Sequence, residues 1–381
     1  MSGVIVAGAG PVGLTAALTL ARAGIRVLVL EREPGLNRRS RASTIHPATL
    51  DLLDELGVAA GLVAQGLVVD RVQWRDLAGS VLAEMSMAGL SGLTGHPYRL
   101  HAEQSALTPL LLGALLDHPD AEVRFGTAVE DVSPVGTAVR VRAGGKWERA
   151  RYLIAADGAH STVRRTLGLY FPVTPYPTQA LRVFTTSPLD ELLPGLAPLT
   201  YVRDPAQSCS LLRLPDHWRI ILRVGQGEPA PTHAAGLDLR ELTIADTHRY
   251  ELASGVLGSY RHGRVLFAGD AAHVTSTAGG LNMNAGIHDA VDLGQVLAAV
   301  LGGHAPPSAL DGWARRRRGV LIERVIPATE ARVAGVQDAD AARLPAAMAA
   351  LGAIAADRAA TRAYLAKASM LDTVPRPVRQ L

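Results

Sequence analysis

The chain has 381 residues, 48% of them hydrophobic and 19% charged, which is the balance of a globular protein and excludes a disordered or fibrous one. Its formal net charge is only +3, and Lys146 and Lys367 are the only lysines, so the bases are arginines spread along the chain rather than a nucleic-acid surface. The one dense basic run, "RRRR" at residues 315–318, falls in a helical pattern and reads as a solvated helix face. A single cysteine, Cys209, excludes an intramolecular disulfide and a cysteine metal cluster. No apolar run approaches the roughly 20 residues that span a bilayer. The opening "GVIVAGAG" lacks the basic flank of a secretory signal. A cytoplasmic protein without membrane or nucleic-acid partners is expected.

In chain order, "SGVIVAGAGPVGLTAALTLARAGIRVLVLERE" predicts a strand, a glycine turn, a helix and a second strand ending on acid. Helices are predicted in "PATLDLLDELG" and "EQSALTPLLLGALL", with alternating strands between them in "LVVDRVQWRD" and "SVLAEMSM". Residues 122–154 give further strands, "AVEDVSP", "TAVRVRA" and "ERARYLIAAD". From about residue 171 to 259 prolines and short strands such as "QALRVFTT" and "LLRLPDHWRIILRV" dominate. The βα character returns at "GRVLFAGD", and beyond Gly302 the sequence is helical and alanine-rich.

Gly8, Gly10 and Gly13 form G-x-G-x-x-G after a strand and at a helix start, with Val12 inside the turn. The first glycine permits the tight turn, the second lets a pyrophosphate approach, and the third lets helix and strand pack. Bare backbone N–H groups at the helix start then meet the phosphate charge. Glu31, 18 residues after Gly13, ends the second strand, where a carboxylate can take two ribose hydroxyls. These features point to FAD or NAD. Further on, "DGAHSTVR" places Asp157 at a strand end, and "AGDAAHVTSTAGGLNMN" places Asp270 at another, before a loop with almost no bulk.

G-x-G-x-x-G, "DGAHSTVR" and "GDAAH" in this order and spacing resemble the group A FAD-dependent aromatic hydroxylases, the p-hydroxybenzoate hydroxylase-like flavoprotein monooxygenases. The resemblance runs from residue 3 to about 335. It implies an α/β fold: a Rossmann-like FAD-binding domain (residues 1–67, 96–170 and 260–302), an inserted mostly-β substrate domain (68–95 and 171–259), and a C-terminal helical region (303–381). It implies that Asp270 binds the flavin ribityl chain and that Gly280, Leu281, Asn282, Met283 and Asn284 run beneath the isoalloxazine. Arg41 would reach the pyrophosphate, Gln104 the ribityl–pyrophosphate side, and Val129 the adenine. Asp157 would serve both FAD and NAD(P)H, with Arg32, Arg38 and Arg39 as candidates for the latter's phosphates. The implied activity is hydroxylation of a small aromatic or phenolic substrate with NAD(P)H and O2, through a flavin C4a-hydroperoxide, by a monomer or homodimer.

The substrate side is less legible. "WRII" resembles the family strand whose arginine steadies flavin and substrate, which assigns Arg219 the catalytic role. Arg213, on the preceding strand, would hold a substrate carboxylate if the intervening turn has odd length; an even turn separates the two arginines. Tyr201, His46 and His217 are candidate acceptors of a phenol proton. No histidine cluster suggests a metal. Thr277 stands where the family loop commonly has proline, and Leu281-Asn282 where it has Gln-Gly. If the loop acts through its backbone, the side chains at these positions matter little. Two alternatives stay open: another FAD-dependent oxidoreductase (reductase, epoxidase or halogenase-like, although the W-x-W-x-I-P signature is absent), or a non-catalytic FAD-binding accessory protein.

Overall fold

The computed structural model describes residues 2–38, 42–204, 207–337 and 343–374. Four apolar strands, Ser2–Ala7, Val27–Leu30, Lys146–Ala155 and Val265–Phe267, form the parallel centre of an eight-stranded sheet, with Ala121–Arg124 parallel at one edge. Where they pair in parallel they are buried on both faces and read as apolar runs, residues 4–7, 27–30, 152–155 and 265–267, as parallel strands covered by helices do. The helices Pro11–Arg22 and Leu281–Leu301 pack on this sheet and on each other. Their approach is close because glycine supplies it: a Cβ on Gly286 would lie 2.7 Å from Val12 Cγ2, and one on Gly294 2.6 Å from Thr19 Cβ.

A second, seven-stranded sheet runs in the order Ile244–Tyr250, Thr178–Thr185, Trp218–Gly225, Cys209–Arg213, Leu199–Val202, Arg71–Arg75, Val81–Ser86. One face carries Leu181, Val183, Leu211, Ile220 and Leu222 into a core of its own. The other carries Val72, Trp74, Met85 and Leu212, and the C-terminal helix Arg358–Ala368 covers part of it through Leu365. The α/β architecture with a helical C-terminal region is therefore the one expected.

The basic run does not form a solvated face. Arg315 is exposed, but Arg316 pairs with Asp292 at 2.7 Å and Arg318 donates to the Leu257 carbonyl at 3.0 Å. Arg317 is buried, donating to Asp289 and the Thr373 carbonyl, both at 2.8 Å. The two acids lie on the inward side of helix Leu281–Leu301, and their burial draws the arginines in. Among the described residues no helix is long and apolar enough to cross a membrane.

Candidate functional site

The register of the parallel strands builds the site. Ala7 pairs with Leu30 and Ala155, and Ala155 with Phe267, so four strands end level. Gly8, Glu31, Asp157 and Asp270 emerge along one sheet edge, at the carboxyl ends where open α/β sheets bind ligands.

Gly8 turns with φ +102°, and a Cβ there would lie 2.4 Å from the Ala156 carbonyl oxygen. A Cβ on Gly13 would lie 2.0 Å from the Gly8 carbonyl oxygen. Gly10 differs: a Cβ there would meet nothing within 4 Å. The protein leaves that space bare beside a helix start that has no side-chain cap, an arrangement suited to an anion. Val12 fills the space beneath, against Gly269 and Gly286. The Glu31 carboxylate accepts from the N–H groups of Ala9 (2.7 Å) and Glu33 (3.0 Å), which fixes it beside the loop. Arg32 is exposed and pairs with Glu33 at 3.3 Å, and Arg38 is exposed. Arg39 and Arg41 lie outside the described residues. Gln104 opens its helix half-buried, its N–H donating to the Ala42 carbonyl at 2.9 Å, and Val129 begins a strand half-buried.

In the second motif Asp157 Oδ2 accepts from the Val163 N–H at 3.1 Å, while Oδ1 is buried without a partner. A lone buried acceptor of this kind fits a ligand hydroxyl. Ser161 caps the following turn by accepting from the Arg164 N–H at 3.0 Å. Arg164 donates to the carbonyls of Ala271 (2.9 Å) and Ala159 (2.6 Å) and stacks 3.9 Å over Phe171, tying the second motif to the third.

The third motif is more tightly wired than its sequence suggests. Asn282 donates to Asp270 Oδ1 at 2.7 Å, and Asn282 Oδ1 lies 3.1 Å from His273 Nδ1. His273 Nε2 meets Asp289 at 2.8 Å, and Asp289 meets Arg317. A buried chain thus runs from Asp270 to the arginine run. Leu281 is buried in the core and Asn282 bridges two motifs, so both side chains make contacts of their own besides the backbone of the loop. In the sequence, the polar residues Asp289 and Asp292 within the amphipathic pattern of this helix are the signal that could have pointed to the network.

Gly279 and Gly280 take φ +81° and +66°, and helix Leu281–Leu301 starts after them with no side-chain cap, leaving backbone N–H groups bare. Asn284 braces the start, donating to the carbonyls of Gly280 (2.7 Å) and Thr44 (2.9 Å) and accepting from the His46 N–H (3.0 Å). Met283 is half-buried against the core. His46 Nε2 donates to the Gly279 carbonyl at 2.9 Å. Burial, with the Arg99 and Arg332 charges, holds His46 well below its usual pKa, so the neutral ring buttresses the loop from beneath. Thr277 is exposed, with its hydroxyl 3.3 Å from that of Tyr250.

On the seven-stranded sheet Arg219 is buried, ion-paired with Glu103, its guanidinium 5.0 Å from the Phe184 ring centroid. Arg213 pairs in register with Trp218 and lies 5.5 Å over its ring. Residues 214–217 make an even turn, so Arg213 faces away from Arg219 and from Tyr201, and the structure does not bring it to the substrate side. His217 sits in that turn, 2.7 Å from Asp216. Among the described residues no group of three or more His, Cys, Asp or Glu could hold a metal.

Two predictions follow from these contacts. Asp270→Ala should weaken FAD retention by about 1.5–3 kcal/mol, through loss of a charged acceptor, and Asn282→Ala should weaken it less. Equal FAD affinity in wild type and Asp270→Ala, measured by flavin fluorescence on titration, would count against the placement. The second concerns acid. Burial drives His101 down to about 4 and His288 to about 3, from an ordinary 6.5. As pH falls below about 6.5 the unfolded chain takes up these protons first, so stability is complete above that pH and declines toward the folded values. Each unit costs about 1.4 kcal/mol per histidine. Urea midpoints measured from about pH 7 to about pH 5 should fall in the wild type and less steeply in His288→Gln.

The family model described as the FAD binding domain matches residues 1–217 and 229–326. The chain is 31% identical over 363 residues to para-nitrophenol 4-monooxygenase of a Pseudomonas species, covering 90% of this chain and 89% of that one. It is 33% identical over 341 residues to 6-hydroxy-3-succinoylpyridine 3-monooxygenase of Pseudomonas putida, covering 85% and 86%. Among solved structures, p-nitrophenol 4-monooxygenase from Pseudomonas putida superposes with TM-score 0.92 at 28% identity, covering 99% of both chains.

Proposed function

The chain belongs to the FAD-binding-domain family, among its aromatic-ring monooxygenases, and from that premise we propose how its residues hold FAD, receive NAD(P)H and present a phenolic ring to O2 chemistry. The observation that carries the reading is the row of strand ends, Gly8, Glu31, Asp157 and Asp270, facing the uncapped start of helix Leu281–Leu301. Glu31 would take the adenosine ribose, and the bare start at Gly10 and Pro11 the pyrophosphate. Asp157 and Asp270 would hold the ribityl hydroxyls, and residues 280–284 the isoalloxazine edge. When bound, FAD accepts hydride from NAD(P)H and activates O2 toward an electron-rich ring, chemistry that no side chain offers.

The protein's part is position and field. The bare N–H groups after Gly280 would offer a helix N-terminus to the flavin's pyrimidine edge and so favour negative charge there. His46 and Asn284 keep that start from fraying. The seven-stranded sheet, through Arg219, Ile221 and Tyr201, walls the substrate side and excludes water. Glu103 fixes Arg219, so this arginine orients the site rather than roaming in it. Transient NAD(P)H binding falls to the surface beside Asp157 and Arg38. A cytoplasmic monomer or homodimer completes the reading.

The test is direct. Purified protein should be yellow with non-covalent FAD, and phenols should accelerate its consumption of NADH or NADPH with gain of one oxygen in the product, followed by mass analysis. Flavin without ring-stimulated oxidation, across a broad phenol panel, would favour the accessory reading instead.

A further inference from the structure

Three arginines converge on one end of the sheet face without an acid to balance them. Tyr201 pairs in register with Trp74, ring centroids 5.7 Å apart, and Tyr364 of the C-terminal helix meets Trp74 edge-on at 6.1 Å. Arg203 lies 5.0 Å over the Tyr201 ring, and the Arg99 charge acts on the Tyr201 hydroxyl. Arg332 reaches the flavin loop, for a Cβ on Gly279 would lie 2.4 Å from its Nη1. Arg99 Nε and Arg332 Nη1 are buried with no partner. Arg203 satisfies Nη1 only with the carbonyls of Val202 (2.9 Å) and Cys209 (3.3 Å). Among the described residues no carboxylate pairs with any of the three.

Like charges buried together without a counter-ion are costly, and the cost is offset only when an anion arrives. The aromatic walls suit a flat ring, and Arg332 places the charge against the loop that carries Gly279. We propose that the cluster of Tyr201, Trp74 and Tyr364 forms one wall of the substrate site and selects small aromatic anions, with Arg99, Arg203 and Arg332 as the specificity-determining counter-ions. The ring's ionised substituent, a carboxylate or an acidic phenolate, supplies the negative charge that the protein withholds. The cluster also acts on Tyr201: burial raises this phenol, but the Arg99 and Arg332 charges outweigh it and bring it below its ordinary 10. This inference rests on the monooxygenase reading.

The test compares matched probes on the holoenzyme in near-neutral buffer: 4-hydroxybenzoate against its methyl ester, and 4-nitrophenol against 4-methylphenol. Binding is read from the flavin spectrum and turnover from NAD(P)H loss. At least one anion should bind about tenfold or more tightly than its neutral partner, and which pair responds tells carboxylate from phenolate. Arg99→Gln and Arg203→Gln should erase that preference while retaining FAD. Neutral rings binding as well as both anions would overturn the inference and leave the monooxygenase reading intact. Loss of FAD from the variants would also overturn it, assigning the arginines to the cofactor, as would variants that keep both FAD and the preference. Failure of every ring to stimulate oxidation would overturn both.

Discussion

Gly10→Val should yield a folded, colourless protein, whereas Gly13→Ala should yield little folded protein at all. Both residues belong to one glycine motif, and the structure separates their roles. At Gly10 the backbone is extended, φ −75° and ψ 178°, a conformation valine adopts freely. Its added Cβ meets nothing of the protein within 4 Å. The branched side chain therefore occupies only the space left for the pyrophosphate, and FAD affinity should drop by orders of magnitude with stability nearly unchanged. At Gly13 the Cβ would lie 2.0 Å from the Gly8 carbonyl oxygen, and backbone cannot yield as a side chain does. That clash exceeds the about 1–3 kcal/mol of ordinary overpacking, because the strand–helix contact itself must open. Circular dichroism and flavin absorbance on both variants distinguish the cases. A yellow Gly10→Val protein would remove the pyrophosphate from this loop.

The same contrast explains what the sequence made legible. Buried parallel strands are short apolar runs, so their ends, and the residues Gly8, Glu31, Asp157 and Asp270 that follow them, stand out against the pattern. The uncapped helix start was legible as an absence of bulk after Asp270. Arg213 and Arg219 were legible conditionally, since alternation fixes a side chain's face once the turn length is known, and the four residues between their strands decide it. Long-range partners were not legible. Asn284 braces His46 across 238 residues, and Glu103 meets Arg219 across 116, pairings that no local period records. Arg99 and Arg332 carry no sequence signal at all, because their meaning lies in the acid that is missing beside them.

Arg317 illustrates the harder case, a residue whose local context points the wrong way. Four consecutive arginines look solvated, yet a helix turns each by about 100°, so one of four can face inward. Arg317→Met should destabilise the protein by about 3–5 kcal/mol, because it strands the buried Asp289 charge that Arg317 now meets at 2.8 Å. His273 remains as that carboxylate's other partner, and the Thr373 carbonyl loses its donor. Arg315→Met, two positions away and exposed, should stay within about 0.5 kcal/mol of wild type. Replacing both partners, Arg317→Met with Asp289→Leu, should recover most of the loss, since two matched apolar groups leave no charge unpaired. Urea unfolding followed by circular dichroism gives all three values. If Arg317→Met costs no more than Arg315→Met, Asp289 is not held as a buried anion. The chain from Asp270 through Asn282 and His273 would then end at an uncharged Asp289 rather than in the arginine run, and the flavin loop would owe nothing to Arg317.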